Sequence, residues 1–223
     1  MLFKRLVQAA ILLCLATTVA MAGSSTVDIS YLLNDTGAQG TAAFGLSDPH
    51  WTVDGGTAYV TDLSGGRFPA QYWLAVSAGD PSAWISPSPG YPDLGSDPGD
   101  TTFDFQTTFD LTGYAPAATS IFFRYTDDNE LTAVKINGTP VAFASGAGMQ
   151  AWSGYTTISG EGLFNSGVNT LDFSVYNAPG STGNPAGLRV ELSGENTPEP
   201  GSLALLGSGL LLISGLLRRK LAR

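Results

Sequence analysis

Phe103, Phe105, Thr107, Phe109 and Leu111 occupy alternate positions, and Asp104, Gln106, Thr108 and Asp110 fall between them. Successive side chains of an extended chain point to opposite faces, so this pattern predicts one long half-buried strand. Leu171, Phe173 and Val175 alternate with Asp172 and Ser174, and Leu188, Val190 and Leu192 with Arg189 and Glu191. Both predict further strands of the same kind. Ile121-Phe122-Phe123 is apolar on both faces and predicts a central strand. Leu131 to Ile136 continues the series. Asn137-Gly138 follows, and both residues tolerate positive φ, which predicts a tight hairpin turn before Val141 and Phe143. Val27, Ile29 and Tyr31 predict a strand near the start; Ala58 to Thr61 and Tyr72 to Val76 predict shorter ones. Turn-forming residues recur every 8 to 12 positions, and no stretch between the termini sustains a helical period. The expectation is an all-β fold, a jelly-roll β-sandwich of about eight to ten strands. Residues 86 to 100, rich in proline and glycine, predict a long surface loop inside that one domain.

The two ends break the pattern. Lys4-Arg5 precede an apolar stretch from Leu6 to Val19, and Ala20-Met21-Ala22 supplies a small-x-small cleavage site. This is the form of a secretory signal-peptide helix. At the other end Pro198-Glu199-Pro200 precedes the apolar run Ser202–Leu217 and the basic cluster Arg218-Arg219-Lys220. That run is 16 residues, short of the roughly 20 of a usual transmembrane helix, and flanking residues with snorkelling arginines make up the length. The basic cluster places the C-terminus on the cytoplasmic side. Three parts are expected: a signal peptide at 1–22, a β-sandwich at 23–196, and a tail at 197–223 with a membrane helix at about 202–217.

Charge and cysteine narrow the chemistry. Four basic residues between 23 and 197 stand against 18 acidic ones, a net of −14. A body this acidic is repelled by phosphate backbones, which excludes nucleic acid as a partner. The single cysteine, Cys14, lies in the signal peptide, and His50 is the single histidine. The exported part therefore has no disulfide, no thiol nucleophile and no multi-histidine metal site. No Gly-x-Ser-x-Gly accompanies His50. Two carboxylates suffice for a glycosidase, and 18 acids neither identify nor forbid such a pair.

Two constellations remain. Asp127-Asp128-Asn129-Glu130 puts four oxygen-bearing side chains in one turn and is the candidate calcium site, provided that a bent loop converges them. Trp152 lies in the glycine-rich loop 146–154. With Asn177, Asn184 and Arg189 it is a candidate for contact with a glycan, because exposed rings stack on sugars and amides bind hydroxyls.

The tail resembles the PEP-CTERM sorting signal of exopolysaccharide-producing Gram-negative bacteria: motif, helix and basic end occur in that order. The resemblance implies a membrane-embedded cysteine protease, exosortase, as the processing partner, reading Pro198, Glu199 and Pro200 and leaving Arg218, Arg219 and Lys220 inside. Asp48-Pro49-His50-Trp51-Thr52, Asp127-Asp128-Asn129, Gly167-Val168-Asn169-Thr170-Leu171-Asp172-Phe173 and Asn184-Pro185-Ala186-Gly187-Leu188-Arg189-Val190 resemble the domain often found upstream of such tails, which is similar to galactose-binding-like jelly rolls. The implied protein is exported by signal peptidase and the secretion machinery, anchored as a precursor, then released to the cell surface or matrix. It is expected to be non-catalytic and to bind polysaccharide. The alternatives are a polysaccharide-degrading enzyme and a purely structural coat.

Overall fold

The computed structural model describes residues 25–38, 44–61, 71–89, 97–146, 148–180, 184–197 and 209. The expected signal peptide at 1–22 lies outside the described residues, as does the expected membrane helix at 202–217 except for Gly209. Among the described residues, no helix is long and apolar enough to cross a membrane. The chain separates into two compact units: Met1–Val27 with Thr197–Arg223, and Asp28–Asn196. The second unit carries the core and the candidate sites.

The fold is all-β. The strands are β1 (Val27–Asp28), β2 (Ser47–Val53), β3 (Gly56–Val60), β4 (Ile85–Ser86), β5 (Thr101–Asp110), β6 (Thr119–Asp128), β7 (Glu130–Ile136), β8 (Thr139–Val141), β9 (Thr156–Ser159), β10 (Val168–Asn177) and β11 (Gly187–Asn196). Their order in space is β8-β7-β10-β5-β2-β3-β4-β11-β6-β9. β5 alternates buried and exposed positions along its whole length, as its sequence pattern requires. It pairs antiparallel with β10 over ten residues, from Val168 opposite Asp110 to Asn177 opposite Thr101. β11 pairs with β6 in the same way, from Gly187 opposite Asp128 to Asn196 opposite Thr119.

The path doubles back on itself. Phe123 of β6 meets Phe173 of β10 edge to face, with ring centroids 5.3 Å apart and planes at 90°. These strands are not neighbours in the path, so the contact runs through a core between two facing layers. Phe105, Phe123, Phe173, Ile121, Leu171 and Val190 are fully buried there. Each such side chain contributes about 1.5–3 kcal/mol of burial. Trp51 closes the core beside Phe173 at 5.8 Å.

Asn137 and Gly138, at φ 50° and 79°, make the two-residue turn that joins β7 to β8. Two expectations fail. The alternation at Val27, Ile29 and Tyr31 yields only the two residues of β1. Asp28 Oδ1 accepts the Ser30 N–H at 2.8 Å, and a 3-10 turn at Ser30–Leu32 follows. This local side-chain bond competes with the sheet ladder and ends the strand. Residues 72–76 are irregular rather than extended. Trp73 stacks on Trp84 at 4.3 Å, and its indole lies over Gly187, where a Cβ would stand 2.4 Å from the ring. Packing of one indole on another and on a bare backbone decides the path of that segment.

Candidate functional site

The turn expected to hold calcium is a single residue. β6 ends on Asp127 and Asp128, Asn129 connects, and Glu130 opens β7. Adjacent strand residues point to opposite faces, so the two aspartates diverge. Asp128 faces outward, and its Oδ2 accepts the Trp73 indole N–H at 2.7 Å. Asp127 faces inward beside Tyr125, and its Oδ2 accepts the Leu131 N–H. Asn129 is engaged elsewhere: its Oδ1 accepts the Ala178 N–H at 2.7 Å and Asn184 Nδ2 at 2.8 Å. Glu130 is exposed. The four side chains do not converge. Among the described residues, no group of three His, Asp or Glu could hold a metal ion. Added chelator is therefore expected to leave the melting temperature unchanged; a fall of several degrees would show that the four ligands regroup around a cation.

Both aspartates nevertheless are unusual. Each is 3% exposed, and each has an Oδ1 that is buried without a hydrogen-bond partner. Burial raises both carboxyls to about 6, against the unperturbed value of 3.8. Asp128 is raised further by the charge of Asp127, and opposed by the Trp73 bond. A third acid, Asp35, is also raised to about 6, chiefly by burial; its Oδ1 accepts the Leu192 N–H at 2.6 Å.

The predicted glycan contacts separate. Asn177 is fully buried. Its Nδ2 donates to Pro98 O at 2.9 Å and Asn184 O at 2.8 Å. Asn184 Nδ2 donates to Asn177 Oδ1, Asn129 Oδ1 and Ala178 O. These amides bind one another and the backbone, so they tie the end of β10 to the β6–β7 junction and offer Asn177 no path to a ligand.

Trp152 lies elsewhere, on the outward face of β6 and β11. Its ring is half-buried and lies close to two guanidinium groups, Arg124 at 4.5 Å and Arg189 at 4.9 Å. Cation–π attraction to both guanidiniums holds the indole against the sheet. Arg124 is paired with Glu191 at 2.5 Å. Those two residues face each other across the β6–β11 ladder. Arg189 is buried, and its partners are Asp80 at 3.0 Å, Ser82 Oγ at 2.9 Å and Ala75 O at 3.0 Å. All three partners come from the segment before β4, so Arg189 is engaged within the protein. Tyr155, which sequence reasoning passed over, adds a ring that is 67% exposed and 5.5 Å from Arg124. The signal for it was its position three residues after Trp152. His50 is exposed, and Thr107 Oγ1 donates to its backbone carbonyl.

Residues 196–220 match the PEP-CTERM protein-sorting motif. The chain is thus an exported protein sorted by exosortase, made as a membrane-anchored precursor. The match spans Pro198, Glu199, Pro200, Arg218, Arg219 and Lys220, all of which lie outside the described residues. The matched range begins at Asn196, the last residue of β11. No curated protein matches the chain.

Proposed function

We propose that this PEP-CTERM protein is a non-catalytic component of the surface or matrix of a Gram-negative bacterium, released by exosortase, whose jelly-roll body binds polysaccharide. Signal peptidase removes residues 1–22 on export. The observation that supports glycan binding is the outward face of β6 and β11. Trp152 packs against the guanidiniums of Arg124 and Arg189, Tyr155 stands exposed beside them, and Arg124 is paired with Glu191. A sugar ring stacks its C–H face on a fixed indole with little loss of side-chain freedom, and the paired charges are available to its hydroxyls. The same pairing argues against catalysis at this face, since Glu191 is bound to Arg124 and Ser82 rather than free to transfer a proton.

The test is calorimetry of the full-length chain against a panel of soluble bacterial polysaccharides. Trp152→Ala with Tyr155→Ala is expected to weaken binding by about tenfold or more. Undiminished affinity in the double variant would remove this face from consideration. A second reading rests on a different observation: Asp127, with its raised carboxyl, and Glu130 line one cavity. Paired acids whose environments differ are the equipment of a glycosidase. Release of reducing sugar that disappears in Glu130→Gln would favour that enzyme, and binding without turnover favours the module.

A further inference from the structure

A cavity of about 540 Å³ lies at the β6–β7 junction, walled by Tyr125, Asp127, Glu130, Phe143, Ser145 and Gly146 among others. Its volume is in the range of small-ligand sites. Asp127 faces into it, is 3% exposed, and has one oxygen bonded by Leu131 N–H and one with no partner. A buried carboxylate oxygen without a donor is costly, and a charged donor relieves that cost better than a neutral one.

The rest of the wall selects the same chemistry. Two carboxylates line the cavity, and no Lys, Arg or His among the described residues does. An anionic sugar is repelled there and a cation is drawn in. The rings of Tyr125 and Phe143 meet edge to face at 6.2 Å, which provides an apolar wall and a π-face for a positive group. Gly146 closes over the unpartnered oxygen. A Cβ at that position would stand 3.0 Å from the Tyr125 ring and hydroxyl and 3.2 Å from Asp127 Oδ1. A side chain there fits only if the Tyr125 ring and the Asp127 carboxylate give way by a few tenths of an ångström. A bare metal ion is a poor fit, because no third carboxylate or histidine among the described residues stands close enough to join the two.

We infer that this cavity receives the protonated amine of an amino sugar, seated against Asp127 and Glu130. The inference rests on the polysaccharide-binding reading and gives it a substrate class. The chain that lines the cavity at Ser145 and Gly146 continues to Trp152 and Tyr155. It is fastened to β6 on the way, by Thr126 Oγ1 to Gly148 O at 2.7 Å and by Ser153 N–H to Tyr125 O at 2.7 Å. One connection thus serves the inner cavity and the outer rings. A chain end bound inside leads its next residues toward the rings outside.

The test uses the full-length protein and calorimetry with glucosamine oligomers and N-acetylglucosamine oligomers of equal length, in buffer where the amine is protonated. The free amine is expected to bind about tenfold tighter than the acetylated one. Asp127→Asn is expected to abolish that preference while binding of the acetylated oligomer stays within about twofold. Gly146→Ala, which crowds Asp127 Oδ1, is expected to do the same, and a melting temperature no lower than the wild type's confirms that both variants fold. Trp152→Ala is expected to weaken both oligomers alike and leave their ratio intact. Equal binding of the two oligomers by the wild type, or a preference that survives Asp127→Asn, overturns the amine site and leaves the outer face standing. Binding of no polysaccharide at all overturns both.

Discussion

Replacing Glu199 with Ala is expected to leave the chain full length and in the membrane fraction, with the processed form absent. Pro198 has its φ fixed, and Pro200 disfavours helical backbone in the residue before it. The sequence therefore predicts an extended Pro-Glu-Pro whose one charged group is the Glu199 carboxylate. A protease that reads such a tripeptide finds little else to hold. Glu199→Gln keeps the shape and removes the charge, so it is expected to fail as completely as Glu199→Ala. Pro200→Ala keeps the charge and loosens the backbone, and is expected to slow processing without stopping it. Membrane fractionation with intact mass measurement checks all three, and a normal mature mass for Glu199→Ala would refute the assignment of Glu199 as the recognised group.

The second large effect is on stability. The carboxyls of Asp127 and Asp128 rise on folding from 3.8 to about 6. The unfolded chain gives up these protons more readily than the folded one. Their contribution is therefore fully present below about pH 4 and is lost as pH rises through 6. At neutral pH each carboxylate costs the fold on the order of 3 kcal/mol, and Asp35 acts in the same direction. Asp28, Asp80 and Asp110 are held below the usual range by hydrogen bonds to Ser30, Ser77 and Thr112. They sit at exposed or half-exposed positions, where such effects are small and oppose the others only weakly. The melting temperature is thus expected to be several degrees higher at pH 5 than at pH 7.5. Asp128→Asn keeps an oxygen for the Trp73 indole and removes the charge. It is expected to raise the melting temperature at pH 7.5 and flatten the dependence. A melting temperature that climbs from pH 5 to pH 7.5 would contradict the direction of both shifts.

The strands that carry the core were legible because their burial is a property of one chain. Phe103 to Leu111 alternates in sequence and in space, and so does Leu171 to Val175. The Asn137-Gly138 turn was legible for the same reason, since its conformation belongs to the two residues themselves. What stayed hidden depended on partners from distant sequence. Arg124 and Glu191 are 67 positions apart, and only the β6–β11 register sets them face to face. The Tyr72–Val76 segment carried a plausible strand composition, but the stacking of Trp73 on Trp84 and Gly187 outweighed it. The Asp127–Glu130 cluster looked like a ligand set because composition does not report direction; two of its members lie on opposite faces of one strand. Asn177 and Asn184 were candidate glycan contacts, and their engagement with Pro98 and Asn129 depends on segments far away in the sequence.

β11 leads from the body into the sorting motif, and its position has a mechanical consequence. It lies inside the sheet path, with β6 on one side and β4 on the other. Asn196, its last residue, is clamped by hydrogen bonds to Ala115 O at 2.7 Å and Thr119 Oγ1 at 2.9 Å. While the precursor is tethered, drag on the body enters through this strand. Load drawn along it falls on ten ladder rungs together instead of opening them one at a time, so the globule resists being pulled apart until the tether is cut.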